Sequence, residues 1–117
     1  NILDTALLVA DRIKNQTGKS TCVISMPTLK PLDTKLILEK TPKAKIVVTL
    51  EEHSLYGGLG SSVAMLLGQS ATAKTPLMCC GIADRFVKDV GSREYLLKKA
   101  GLDAQAVATK IIKALQK

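Results

Sequence analysis

A chain of 117 residues, 46% of them hydrophobic and with a formal net charge of +7, is the size of one domain and can bury about two-thirds of its unfolded surface. Trp is absent and Phe86 is the single Phe, so Leu, Ile, Val and Ala must build the core, and a chain this apolar is not expected to be disordered. No apolar run reaches the ~18 to 20 residues of a membrane-spanning helix, and the first residues lack the charged-then-apolar layout of a secretory signal. A soluble, cytoplasmic domain without membrane contact is expected.

Ile2, Leu3, Ala6, Leu7, Ala10 and Ile13 recur at three- and four-residue steps, which places them on one face of an opening helix that Asn1 can cap and Gly18 ends. Thr21 to Met26 is a short β-prone run bounded by Pro27. Beyond Pro31, Asp33 is placed to cap a short helix carrying Leu36, Ile37 and Leu38. Ile46 to Leu50 is almost continuously apolar, the pattern of a strand covered on both faces in a parallel sheet. Leu50 to Ser62 then reads as a turn from this strand into a helix carrying Val63, Ala64, Leu66 and Leu67, which fades into a loop at Ser70 to Thr75.

Leu77 to Ile82 is the next strand, with Gly81 its weak point. Ser92 caps a helix carrying Tyr95, Leu96 and Leu97, which Gly101 stops. Asp103 caps the last helix, with Leu102 and Val107 at the positions of a hydrophobic staple and Val107, Ile111, Ile112 and Leu115 as the inward stripe. The alternation implies a three-layer α/β/α sandwich with a mostly parallel sheet, a single domain over residues 1–117. Right-handed crossovers are normally fed by a preceding strand, and this chain opens in a helix with only three strand candidates, so its first strands are expected to be missing from it.

The charge suggests a nucleic-acid surface until the lysines are placed. Lys98 and Lys99 end one helix and Lys110, Lys113 and Lys117 lie toward the end of another, where cations meet the negative pole of the helix dipole. Lys40, Lys43 and Lys45 flank a turn. With Tyr56, Tyr95 and Phe86 scattered, no basic-aromatic module exists, and no nucleic-acid partner is expected. Cys22, Cys79 and Cys80 sit in apolar runs without a C-x-x-C or Cys/His spacing. They read as small hydrophobes in a reducing compartment, and no metal site is expected.

The strongest local signal is Glu51, Glu52, His53 and Ser54 at the carboxyl end of the central strand, followed by Gly57, Gly58, Gly60 and Ser61 leading into a helix. Ligands of open α/β sheets bind at that edge, and amides at a helix N-terminus attract anions. Glu52, His53, Gly57, Gly58, Gly60 and Ser61 are therefore the candidate anion or regulatory site. The competing reading gives the glycines a tight turn and close packing, with Glu51, Glu52 and His53 ordering it by hydrogen bonds. G-G-x-G-S lacks the G-x-G-x-x-G and Walker patterns, and no G-x-S-x-G elbow supports a hydrolase. No catalytic residue is assigned.

Four motifs in order, SMPTLKPLD at Ser25 to Asp33, VTLEEHSLYGGLGSSVA at Val48 to Ala64, GIADRF at Gly81 to Phe86 and GSREYLLKKAGLDAQAV at Gly91 to Val107, resemble the carboxy-terminal domain of transketolase-type thiamine diphosphate enzymes. The resemblance spans nearly the whole chain. It implies a mixed five-stranded sheet whose first strands are absent from this chain, so that the strands at Cys22 and Val47 should flank a gap unless residues outside the chain or a partner fill it. It also implies an enzyme that moves two-carbon ketol units between sugar phosphates, with thiamine diphosphate and magnesium held by the N-terminal and middle domains across a homodimer interface. No cofactor is then expected on this domain, which would serve dimer contacts and stability. Equivalent domains of deoxyxylulose-phosphate synthase and of 2-oxo-acid dehydrogenase β subunits are the alternatives, together with a free-standing anion-binding module.

Overall fold

A computed structural model describes residues 2–71 and 74–116. Asn1, the expected cap of the opening helix, and Lys117 lie outside the described residues, as do residues 72 and 73 of the loop before the second strand. The chain divides into two compact units, one made of Asn1–Ser25 with Arg85–Lys117, the other of Met26–Asp84.

The unit of Met26–Asp84 holds the sheet. Its strands β1 (Val47–Ser54) and β2 (Leu77–Ile82) pair in parallel, with Val47 opposite Leu77 and Leu50 opposite Cys80. The register then shifts: the next pair is Ser54 with Ile82, so Glu51 to His53 on β1 stand opposite Gly81 alone. Such a bulge bends the longer strand and re-aims its side chains. A Cβ on residue 81 would lie 2.9 Å from the His53 carbonyl oxygen and 3.2 Å from Glu51 Cγ. The glycine that weakens β2 in the sequence is thus what lets the bulge close against it.

Before β1 comes α2 (Thr34–Lys40), continued by a 3₁₀ turn at Thr41–Lys43. Asp33 Oδ1 accepts from the Leu36 amide at 3.0 Å, as its position before the helix predicts. Helix α3 (Leu59–Gln69) packs on both strands and touches α2. Ile37, Val63 and Leu67 form the buried centre, flanked by Met26, Leu32, Val47, Leu59, Leu66 and Leu77.

The other unit is helical: α1 (Ile2–Thr17), α4 (Arg93–Ala100) and α5 (Ala104–Leu115). Ser92 Oγ caps α4 by accepting from the Tyr95 amide, and Gly101 closes it at φ +66°, with its amide and that of Leu102 turned back to the last-turn carbonyls. Asp103 Oδ1 caps α5 by accepting from the Gln105 and Ala106 amides at 3.1 Å each. The staple residues Leu102 and Val107 are each only 1% exposed. Burial of this kind stabilises by about 1.5–3 kcal/mol per side chain.

The α/β class with a parallel sheet agrees with the sequence reading, but several expectations need correction. Thr21 to Met26 is not a strand, and Cys22 is exposed rather than packed. A strand exists only where a neighbour takes its amides and carbonyls. The sheet of the described residues has two strands, β1 and β2, and neither pairs with this run. In α1 the buried residues are Val9 and Ile13, whereas Leu7 is 49% exposed. Successive residues turn by about 100°, so the stripe facing α5 runs through Ile2, Ala6, Val9 and Ile13, and Leu7 falls well outside it. Strand β1 also continues four residues past Leu50, because the ladder is made by backbone groups and resumes beyond the bulge at Ser54 and Ile82 whatever the side-chain polarity.

Candidate functional site

The expected ligand site begins at the bulge. Along β1 the alternation of faces holds as far as Glu52, with Thr49 and Glu51 buried and Glu52 exposed, while His53, inside the register shift, is exposed as well. A carboxylate at 7% exposure needs partners to offset its desolvation. Glu51 finds them at the start of α3, where Oε2 accepts from the Leu59 amide and Oε1 from the Gly60 amide, both at 2.8 Å. These are two of the donors that a helix N-terminus leaves without an intrahelical acceptor. A strand carboxylate has therefore taken the place of an N-cap side chain, which Gly58 at the cap position cannot supply.

Gly57, Gly58 and Gly60 each serve this arrangement differently. Gly57 turns the chain at φ +78°, a conformation that favours glycine. A Cβ on Gly58 would collide with the Glu51 carboxylate. One on Gly60 would stand 3.0 Å from each of Glu51 Oε1, Cys79 Sγ and Thr49 Oγ1. Only bare backbone brings α3 this close to β1 and β2. The Thr49 hydroxyl in that crevice is buried with no hydrogen-bond partner among the described residues.

The hydroxyls after the glycines turn inward as well. Ser61 Oγ and Ser62 Oγ donate to the Gly58 carbonyl at 3.1 and 2.9 Å, and the Tyr56 amide donates to Ser54 Oγ at 3.3 Å. His53 Nδ1 lies 3.0 Å from the Ser54 carbonyl oxygen, an acceptor, so the ring nitrogen donates in that contact. Gly58 and Gly60 thus lie against the carboxylate of Glu51, Ser61 is tied to them through the Gly58 carbonyl, Gly57 makes the turn before them, and His53 is exposed at the same strand end.

Glu51 is the residue that the candidate set omits in favour of Glu52. The signal was the parity of the strand: counting by two from Thr49 puts Glu51 on the buried face and Glu52 on the exposed one. Among the described residues no group of three or more His, Cys, Asp or Glu side chains is placed to hold a metal.

Comparison with known proteins places this geometry in a family. Residues 1–107 match the family model described as transketolase, C-terminal domain. The 1-deoxy-D-xylulose-5-phosphate synthase of Chlorobium phaeovibrioides is 46% identical over 104 residues, which are 89% of this chain and 16% of that protein. A putative transketolase C-terminal section of Methanocaldococcus jannaschii is 36% identical over 110 residues, 94% of this chain and 33% of that protein. Among solved structures, a split gene transketolase described as an inactive beta4 tetramer superposes with a TM-score of 0.80 at 34% identity, covering 98% of this chain and 35% of that one. The chain therefore spans about a third or less of the relatives named here. It belongs to the transketolase C-terminal domain family, as its four motifs suggest.

Proposed function

We propose that the chain is the C-terminal domain, or a split subunit, of a transketolase, supporting the dimer contacts and stability of an enzyme that transfers two-carbon ketol units between sugar phosphates. The observation that carries this reading is the likeness of 98% of the chain to part of a split gene transketolase. The turn at Glu51 supports a structural role for this domain. Two of its helix amides are spent on an internal carboxylate, and Gly58 and Gly60 make room for that carboxylate.

The complete enzyme uses thiamine diphosphate and magnesium, which supply the carbanion chemistry of ketol transfer. The described residues do not fit that group. A diphosphate held through a divalent ion needs several oxygen ligands and free amide donors. No metal-holding cluster is present among them, and the Leu59 and Gly60 amides are engaged. The cofactor belongs to the N-terminal and middle domains, across a homodimer interface, in a cytoplasm that keeps the free cysteines reduced.

An effector-anion role for Glu52, His53, Gly57, Gly58, Gly60 and Ser61 would require the anion to share this helix end with Glu51. A second reading of the whole enzyme has a specific observation behind it: the relative at 46% identity is a 1-deoxy-D-xylulose-5-phosphate synthase, whereas the transketolase section is at 36%. Product analysis separates the two. The complete enzyme with thiamine diphosphate and magnesium is expected to move a ketol unit from a ketose phosphate, and this chain alone to show no turnover. Formation of 1-deoxy-D-xylulose 5-phosphate instead would assign it to the synthase branch, and turnover by the chain alone would overturn the supporting role.

A further inference from the structure

We infer that Phe86, Val87 and Val90 form a docking edge that seats on an apolar, carboxylate-rimmed surface of the thiamine-binding section of the same enzyme, an inference that rests on the functional reading above. These side chains are 93%, 58% and 96% exposed and lie within five consecutive residues. Isolated apolar side chains on a surface are ordinary, but a cluster that includes the chain's single Phe is an anchor-type feature.

The segment is braced where it meets α4. Asp89 accepts from Lys99 Nζ at 2.8 Å, Lys99 lies 5.6 Å from the centre of the Tyr95 ring, and Ser92 caps the helix through the Tyr95 amide. Gly91 lies close against that ring, since a Cβ there would come within 2.6 Å of Tyr95 Cδ1. The apolar edge is therefore presented on a supported frame, which lowers the ordering cost of binding.

Charge and chain length choose the occupant. Residues 85–99 carry five cations, Arg85, Lys88, Arg93, Lys98 and Lys99, against the two carboxylates Asp89 and Glu94. A second copy docked through the same patch would set like charges against each other, whereas an acidic rim would complement them. The relatives named above extend well beyond the matched region, the chain covering 16% of one and 35% of another. That remaining polypeptide is the available source of such a surface.

The test is amide hydrogen exchange over residues 84–92 in this chain alone and in the complete enzyme loaded with thiamine diphosphate and magnesium. The expected result is fast exchange in the chain alone and slowing of roughly tenfold or more in the complete enzyme. The double variant Phe86→Ser with Val90→Ser should restore fast exchange there, while the variant chain melts like the native one. Equal exchange in both states, with ketol transfer intact, overturns the docking edge and leaves the functional reading standing. Absence of any thiamine-dependent product overturns the functional reading itself. Slowing in the chain alone that grows with its concentration also overturns the proposal, and assigns the edge to a second copy.

Discussion

Helices α3 and α5 both begin on a carboxylate, as α2 does on Asp33, but the carboxylates of α3 and α5 come from different places. Asp103 sits immediately before α5 and bonds amides two and three residues ahead of it. Glu51 reaches α3 from inside a strand, eight and nine residues before the amides it accepts from. The local cap needs only the right residue at the right place. The distant one needs a bulge in β1, glycine at 58, 60 and 81 to admit the approach, and burial of the carboxylate. A cap of the second kind couples the helix to the sheet, so its loss reaches the sheet as well as one helix end.

Glu51→Ala should give the largest effect. It leaves one buried and one part-buried amide without acceptors and opens a void at the bulge, costing about 3 kcal/mol by denaturant titration. Gly58→Ala comes next, at about 2 kcal/mol, because its methyl group displaces the carboxylate from those amides. The pair is expected to be strongly non-additive: in the Glu51→Ala background, Gly58→Ala should cost less than about 0.5 kcal/mol. Additive costs would mean that the glycine serves the backbone alone. Asp103→Ala, the local cap, should cost about 1 kcal/mol, and combine additively with Glu51→Ala if the two helix starts are independent.

The smallest effect belongs to the surface pair at Asp89. The ion pair with Asp89 holds the Lys99 ammonium above its ordinary pKa of 10.5. A raised pKa stabilises fully below the unfolded value and is lost as pH rises through the folded one. Asp89→Asn should therefore produce a slight, salt-sensitive drop in melting temperature at neutral pH that vanishes under strongly alkaline conditions.

The same contrast explains what the sequence revealed. Asp33, Ser92, Gly101 and Asp103 act within a few residues of themselves, and each was legible from neighbours. Strand β2 was legible to its ends, because a short apolar run bounded by turn residues leaves little choice. Thr21 to Met26 has the composition of a strand but no described neighbour to pair with, and composition cannot supply one. Leu7 shares the spacing of a buried stripe, yet the placement of α5 selects the stripe through Val9 and Ile13 instead. At the glycine turn, residue types pointed to an anion and even gave its place. That a carboxylate of the chain orders the turn was the competing reading, and choosing Glu51 on α3 over an outside anion depends on the bulge, which requires the paired sheet.

The most direct measurement is a sulfate titration followed by amide NMR of Gly58 to Ser62, in the native chain and in Glu51→Ala. With the Glu51 carboxylate seated on Leu59 and Gly60, the native amides should stay unmoved, and those of the variant should shift as sulfate enters the vacated place. Saturable shifts in the native chain would contradict the account, and would make this turn an anion site in its own right.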